Sequence, residues 1–249
     1  MMEPTKFFDA YSIRARLFPA VIAAAPALAA IALLVSWSTL GLSNAIASIG
    51  MLALMFAIAD LSRARGRKLE RRLYADHGGL PSITMFRRSD KTIDSGLKDR
   101  YRTFLADQLG VQAPDAEVEL LDKSAADGFY DQCGAWLRQN TRDSKRFSIL
   151  FAENITYGFR RNLLGVKTIA LWLNAIVVGV CLLFLWRLGF DTAGPVGSRV
   201  GLVLIVAVAH AGYMLLAVTR GAVWDASQAY GRELILSCES FLAQPKDAR

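Results

Sequence analysis

Four groups of residues have types and spacings that could do chemistry. Arg63, Arg65, Arg67, Lys68, Arg71 and Arg72 crowd six cations into ten positions. Each gains about 1 kcal/mol beside an anionic lipid leaflet, and the same crowding is what the positive-inside rule places next to a membrane span. Gly78-Gly79-x-Pro81 precedes Arg87-Arg88-x-Asp90. A tight loop there either aims backbone N–H groups at an anion that the guanidiniums pair with, or merely ends a helix and starts a strand. The stretch Glu153-Asn154-x-x-Tyr157-Gly158-Phe159-Arg160-Arg161-Asn162 mixes aromatic, guanidinium and amide groups. Such mixtures bind bases and phosphates, and they also anchor helices at a membrane surface. The fourth group, Asn174, His210 and Tyr213, lies inside long apolar stretches, where polar groups line a pore or hydrogen-bond between helices.

Enzyme signatures are absent. There is no P-loop, no G-x-G-x-x-G, no H-E-x-x-H and no paired cysteine motif. Cys133, Cys181 and Cys238 have neither disulfide nor zinc spacing and read as free thiols. The expectation is a protein that is not an enzyme and uses no cofactor and no metal.

The apolar stretches decide the class. Between Arg16 and Asp60 there is no Asp, Glu, Lys, Arg or His, and comparable stretches run over 168–186 and 200–219, the last broken only by His210. A bilayer core takes about 20 apolar residues per helix, so the first stretch holds two helices and the others one each. The predicted spans are 18–36, 42–59, 168–186 and 200–219, with a turn over 38–41. Trp37, Trp172, Trp186 and Trp224 fall near span ends, the headgroup level that amphipathic rings prefer. A cleaved signal peptide ending near Ala23-Ala24-Ala25 is disfavoured, because the apolar stretch is far longer than a signal h-region.

Residues 61–166 carry nineteen Lys and Arg against fourteen Asp and Glu, whereas the first turn has no cation. This imbalance puts the N-terminus, the middle segment and the C-terminus in the cytoplasm. The predicted organisation is a mainly α protein of two hairpins: 1–60 with the first, 61–166 as a basic cytoplasmic module, 167–220 with the second, and 221–249 as a tail. Within the module, residues 61–75 continue the second span as a helix broken at 77–81. Leu97, Tyr101, Phe104, Leu105 and Leu109 make an amphipathic stripe over 93–109. Further helices are predicted over 123–139 and from 143 toward Lys167, and alternation over 82–88 allows one short strand.

The blocks at 65–70, 78–82, 87–90 and 153–162, set in a two-plus-two layout of spans, resemble a bacterial family of four-span proteins without an enzymatic assignment. The layout also resembles the four-span membrane effectors of nucleotide-signalling antiphage defence, CBASS-like or Hailong-like. That resemblance implies an inner-membrane homo-oligomer whose cytoplasmic module senses a nucleotide or short oligonucleotide, made by a neighbouring nucleotidyltransferase, and whose spans form an ion-conducting pore. The sensing residues would be Gly78, Gly79, Arg87, Arg88, Tyr157, Arg160, Arg161 and Asn162, and His210 would be the first choice for the pore. The alternative is a non-conducting scaffold or assembly factor whose basic surface binds anionic lipid or a protein partner.

Overall fold

A computed structural model describes residues 11–34 and 43–243. The turn expected at 38–41 lies outside them, as do Trp37 and the chain from 244 onward. The chain divides into two compact units, Met1–Glu70 with Gly158–Val223 and Arg71–Tyr157 with Trp224–Arg249.

In the first unit a π-helical turn, Ser12–Leu17, runs into α1 (Phe18–Leu34). The unit also takes the N-terminal part of α2 (Ser43–Asp76), the C-terminal part of α7 (Ser148–Arg187), all of α8 (Pro195–Leu216) and the start of α9 (Arg220–Leu236). Among the described residues, the helices spanning Ser12–Leu34, Ser148–Arg187 and Pro195–Leu216 are long and apolar enough to cross a membrane. Their inner faces pack Leu163, Val166 and Ala170 with Met214 and Val218 at one level, and Val177, Cys181 and Leu185 with Val200 and Val203 at another. Their outer faces stay bare: Trp172, Ile176, Leu183, Ile205 and Val208 are all at least half exposed. An apolar surface that wide marks contact with lipid or with other chains.

Two close backbone approaches hold this unit. A Cβ at Gly165 of α7 would sit 2.6 Å from the Gly66 nitrogen and 2.8 Å from the Ser62 oxygen, both on α2. A Cβ at Gly197, near the start of α8, would sit 1.9 Å from the Asp191 carbonyl oxygen. Lys167 donates to the Val218 carbonyl (2.8 Å) just past α8, where a cation satisfies an orphan acceptor and complements the helix dipole.

The second unit is built from α3 (Pro81–Thr84), α4 (Ser95–Leu109), α5 (Ala116–Leu121), α6 (Lys123–Asn140), the end of α2, the start of α7, most of α9 and α10 (Cys238–Leu242). Asp94, Asp115 and Asp122 cap α4, α5 and α6 by accepting backbone N–H bonds in the first turn. Gly110 ends α4 in the left-handed conformation (φ 66°) that a side chain resists. The predicted stripe does form the core: Tyr101, Phe104 and Leu105 pack with Phe86, Phe129, Tyr130, Cys133 and Leu137.

Two expectations need correction. Among the described residues there is no strand, and 81–84 is the short helix α3. Pro81 presets the first helical turn, and the N–H groups of Thr84 and Met85 bond four residues back to Leu80 and Pro81, leaving no ladder for a strand to join. The C-terminal segment is also more than a tail. Leu234, Ile235 and Cys238 are fully buried in the core of the second unit, and Phe241 stacks on Phe104 and meets Trp136 and Phe147.

Candidate functional site

The glycine loop closes a helix rather than opening an anion site. Gly78 and Gly79 have positive φ (75° and 132°), and their N–H groups donate back to the Ala75 and Tyr74 carbonyls at the end of α2. The anion-binding reading needed those N–H groups free. Arg87 donates to the Gly78 carbonyl (2.8 Å) and grips Asp127 through two bonds of 2.8 Å. Arg88 pairs with Asp99 (2.9 Å), reaches the Pro114 carbonyl and donates its backbone N–H to Glu119.

Sequence reasoning missed two cations behind this turn. Lys98 is fully buried and donates to the Arg87 and Asp90 carbonyls. Arg102, also buried, donates to the Phe86 carbonyl (2.8 Å) and pairs with Asp99. Their spacing of four residues puts both on the face of α4 that carries Tyr101 and Leu105, which was the available signal.

The 153–162 block is divided between the two units. Tyr157 is buried in the second unit, its hydroxyl 2.6 Å from that of Tyr74, which also meets Ser227. In the first unit Arg160 donates to the Ala222 carbonyl (3.0 Å) and Arg161 pairs with Glu70 (3.1 Å). Asn162 is 1% exposed, donates to the Ala15 carbonyl (2.7 Å) and accepts Ser62 Oγ on its own carbonyl (2.7 Å). The side-chain amide ties the N-terminal π-helical turn to α7 and the backbone carbonyl ties α2 to it, so this residue's chemistry is used in packing.

Inside the predicted spans, Asn174 donates to the Ala207 carbonyl of α8 (2.9 Å), while its own oxygen has no hydrogen-bond partner among the described residues. His210, one turn further along α8, is 7% exposed. Its imidazole faces the backbone of Ile22 on α1, and among the described residues neither nitrogen meets hydrogen-bond geometry. Tyr213 is 41% exposed and lines a cavity of about 280 Å³ with Arg160 and Thr219. Asn174 and Tyr213 each lie seven residues from a cation, Lys167 and Arg220, and so at similar depth, where they could hydrogen-bond; Asn174 donates to the Ala207 carbonyl instead.

Of the clustered cations on α2, Arg65, Arg67, Lys68, Arg71 and Arg72 are exposed, and none forms an ion pair among the described residues. A separate groove of about 220 Å³ in the second unit brings Arg138 and Arg142 beside Asn154, Phe151 and Tyr230. Of these five, only Asn154 falls in a block singled out as chemistry. The two arginines lie at the end of α6 and just beyond it, without a motif around them.

Titration in the second unit follows burial. Desolvation pushes the Cys133 thiol up to about 12 and raises Cys238 further. It also raises Tyr101 and Tyr130, which donate to Glu239 and Glu119. A folded-state pKa above the unfolded one means the native state holds the proton longer, so stability is whole below the ordinary values of 9 and 10 and falls as pH rises through them. Lys98, lowered by burial, opposes this with one group against four. The expected result is a melting midpoint of the second unit that declines above pH 9, with Cys133 and Cys238 unreactive toward maleimide at pH 8 until the chain unfolds. A midpoint that is flat or rising from pH 9 to 11 would contradict this reading.

No protein-family model, curated protein or solved structure matches this chain. The fold itself defines a mainly helical protein in which three described helices have the length and composition of membrane spans.

Proposed function

We propose that this chain is a four-span, homo-oligomeric membrane scaffold of the bacterial inner membrane, whose basic cytoplasmic surface docks on anionic lipid or a protein partner. One observation carries the reading. The arginines of both phosphate-like clusters, Arg87 with Arg88 and Arg160 with Arg161, direct their bonds to carboxylates and carbonyls of the chain itself, whereas five exposed cations on α2 pair with nothing among the described residues. The α2 stretch that would be the second span supports the count of four, since Ile49, Leu52, Leu54 and Phe56 are all more than half exposed. Reporter fusions at Asp90, Asp143 and the C-terminus should all report the cytoplasm. The purified chain should leave a potassium gradient across liposomes intact, with or without nucleotides. A periplasmic signal at Asp90 or Asp143 would refute the topology, and gradient collapse would refute the scaffold.

A nucleotide-gated pore in antiphage defence is the second reading, and the groove of Arg138, Arg142, Asn154, Phe151 and Tyr230 favours it. It offers guanidiniums for phosphate and rings for a base. On this reading Arg138→Ala/Arg142→Ala abolishes nucleotide binding, while Arg87→Ala/Arg88→Ala acts through stability alone.

A further inference from the structure

The first unit contains a cavity of about 180 Å³ with apolar walls and two guanidiniums. Ser12, Ile13, Arg16 and Leu17 come from the π-helical turn, and Phe56, Ala59, Asp60 and Arg63 from α2. Arg16 and Arg63 are both half-buried, and neither forms an ion pair among the described residues. Burial and the repulsion of Arg16, Arg67 and Arg161 lower the pKa of Arg63, so the chain holds like charges together here at a cost. A counter-anion would remove that cost. The π-helical turn is a second sign: such turns are rare and are frequently found at functional sites.

We propose that Arg16 and Arg63 bind the phosphodiester headgroup of an anionic phospholipid, with its acyl chain laid along Leu17 and Phe56. The proposal rests on the membrane-spanning reading above, which sets this cavity at the cytoplasmic end of the first two spans. Guanidinium forks match phosphate oxygens bidentately. Asp60 lines the same cavity and offsets one of the two cations, so the site matches the single charge of a phosphodiester better than the double charge of a free phosphate or a phosphomonoester. Phe56 is about half exposed, and a covering acyl chain would give that surface a use which an inorganic ion would not.

The test uses the full chain, purified in detergent and stripped of lipid. Phosphatidylglycerol should raise its melting midpoint and stay bound in native mass spectrometry, while phosphatidylcholine and inorganic phosphate at equal concentration should not. Removing each guanidinium, as in Arg16→Gln and Arg63→Gln, should weaken phosphatidylglycerol binding about tenfold. Asp60→Asn should strengthen it, and Lys91→Gln/Lys123→Gln, exposed in the second unit and away from the α2 cations, should leave it unchanged. Arg63→Lys keeps the charge but loses the fork, and should weaken binding even if the glutamine variants fold poorly. Equal binding in Arg63→Lys and the native chain, or equal stabilisation by inorganic phosphate, overturns the proposal. Carbonate extraction separates the two levels. A chain released from membranes defeats the spanning reading, whereas an integral chain whose arginine variants bind phosphatidylglycerol normally defeats only the headgroup site.

Discussion

Gly165→Val should leave no folded first unit to purify, and Gly165→Ala should lower its stability by about 1–3 kcal/mol, the usual cost of forcing volume into a packed interior. The new Cβ would meet the Gly66 nitrogen at 2.6 Å and the Ser62 oxygen at 2.8 Å. Both are backbone atoms of a continuous helix and cannot rotate aside. A total stability of about 5–15 kcal/mol leaves little room for the larger side chain. Gly179 lies on the same helix, and a Cβ added there would have nothing within 4 Å. Gly179→Ala is therefore the control and should be neutral or gain up to about 1 kcal/mol in helix propensity. Thermal unfolding in detergent, followed by limited trypsin digestion, reads both. If Gly165→Ala melts with the native chain, α2 and α7 do not meet at these glycines.

His210→Leu should make the protein more stable, with a midpoint raised by the equivalent of about 1–3 kcal/mol, because a buried donor and acceptor that find no partner among the described residues each cost desolvation. Leucine fills a similar volume and removes both nitrogens. Asn174→Leu should gain less, since it also sacrifices the bond to Ala207. A histidine that lines a water-filled pathway would give the opposite pattern, with unchanged stability and an altered, pH-dependent conductance in lipid bilayers. Recording both quantities on one preparation decides between them, and a lower midpoint in His210→Leu would mean that the imidazole has partners in the membrane.

Helices with strong local signals were legible in the amino-acid order. The stripe over 93–109 became α4, and the end of α2 fell at the Gly78-Gly79 break, because capping aspartates, glycines and apolar periodicity act within a few residues. The three described helices long and apolar enough to cross a membrane were legible for a similar reason: a bilayer sets a length and composition that can be read from the residues alone. The destinations of the arginines were not. Arg87 meets Asp127 forty positions away, Arg161 meets Glu70 across ninety-one, and Asn162 reaches Ala15 across one hundred and forty-seven. A cation in a motif looks the same whether a ligand or a distant carboxylate awaits it. The alternation over 82–88 misled for a local reason: Met85 and Phe86 are adjacent and both buried, which a turn allows and a half-buried strand does not.

Leu234, Ile235 and Cys238, the buried residues that close the core of the second unit, leave the ribosome only after α7 and α8 have done so. Residues 71–157 emerge well before them and, at about 5–20 residues per second, wait several seconds for α9 and α10 to follow. During that interval the apolar lengths of α7 and α8 are synthesised, while Phe104, Trp136 and Phe147 still lack the ring of Phe241. Completion of this core therefore reports that translation has passed both intervening apolar helices. A chain stalled or cut before α9 displays an open aromatic surface to chaperones and proteases, and quality control can discard it.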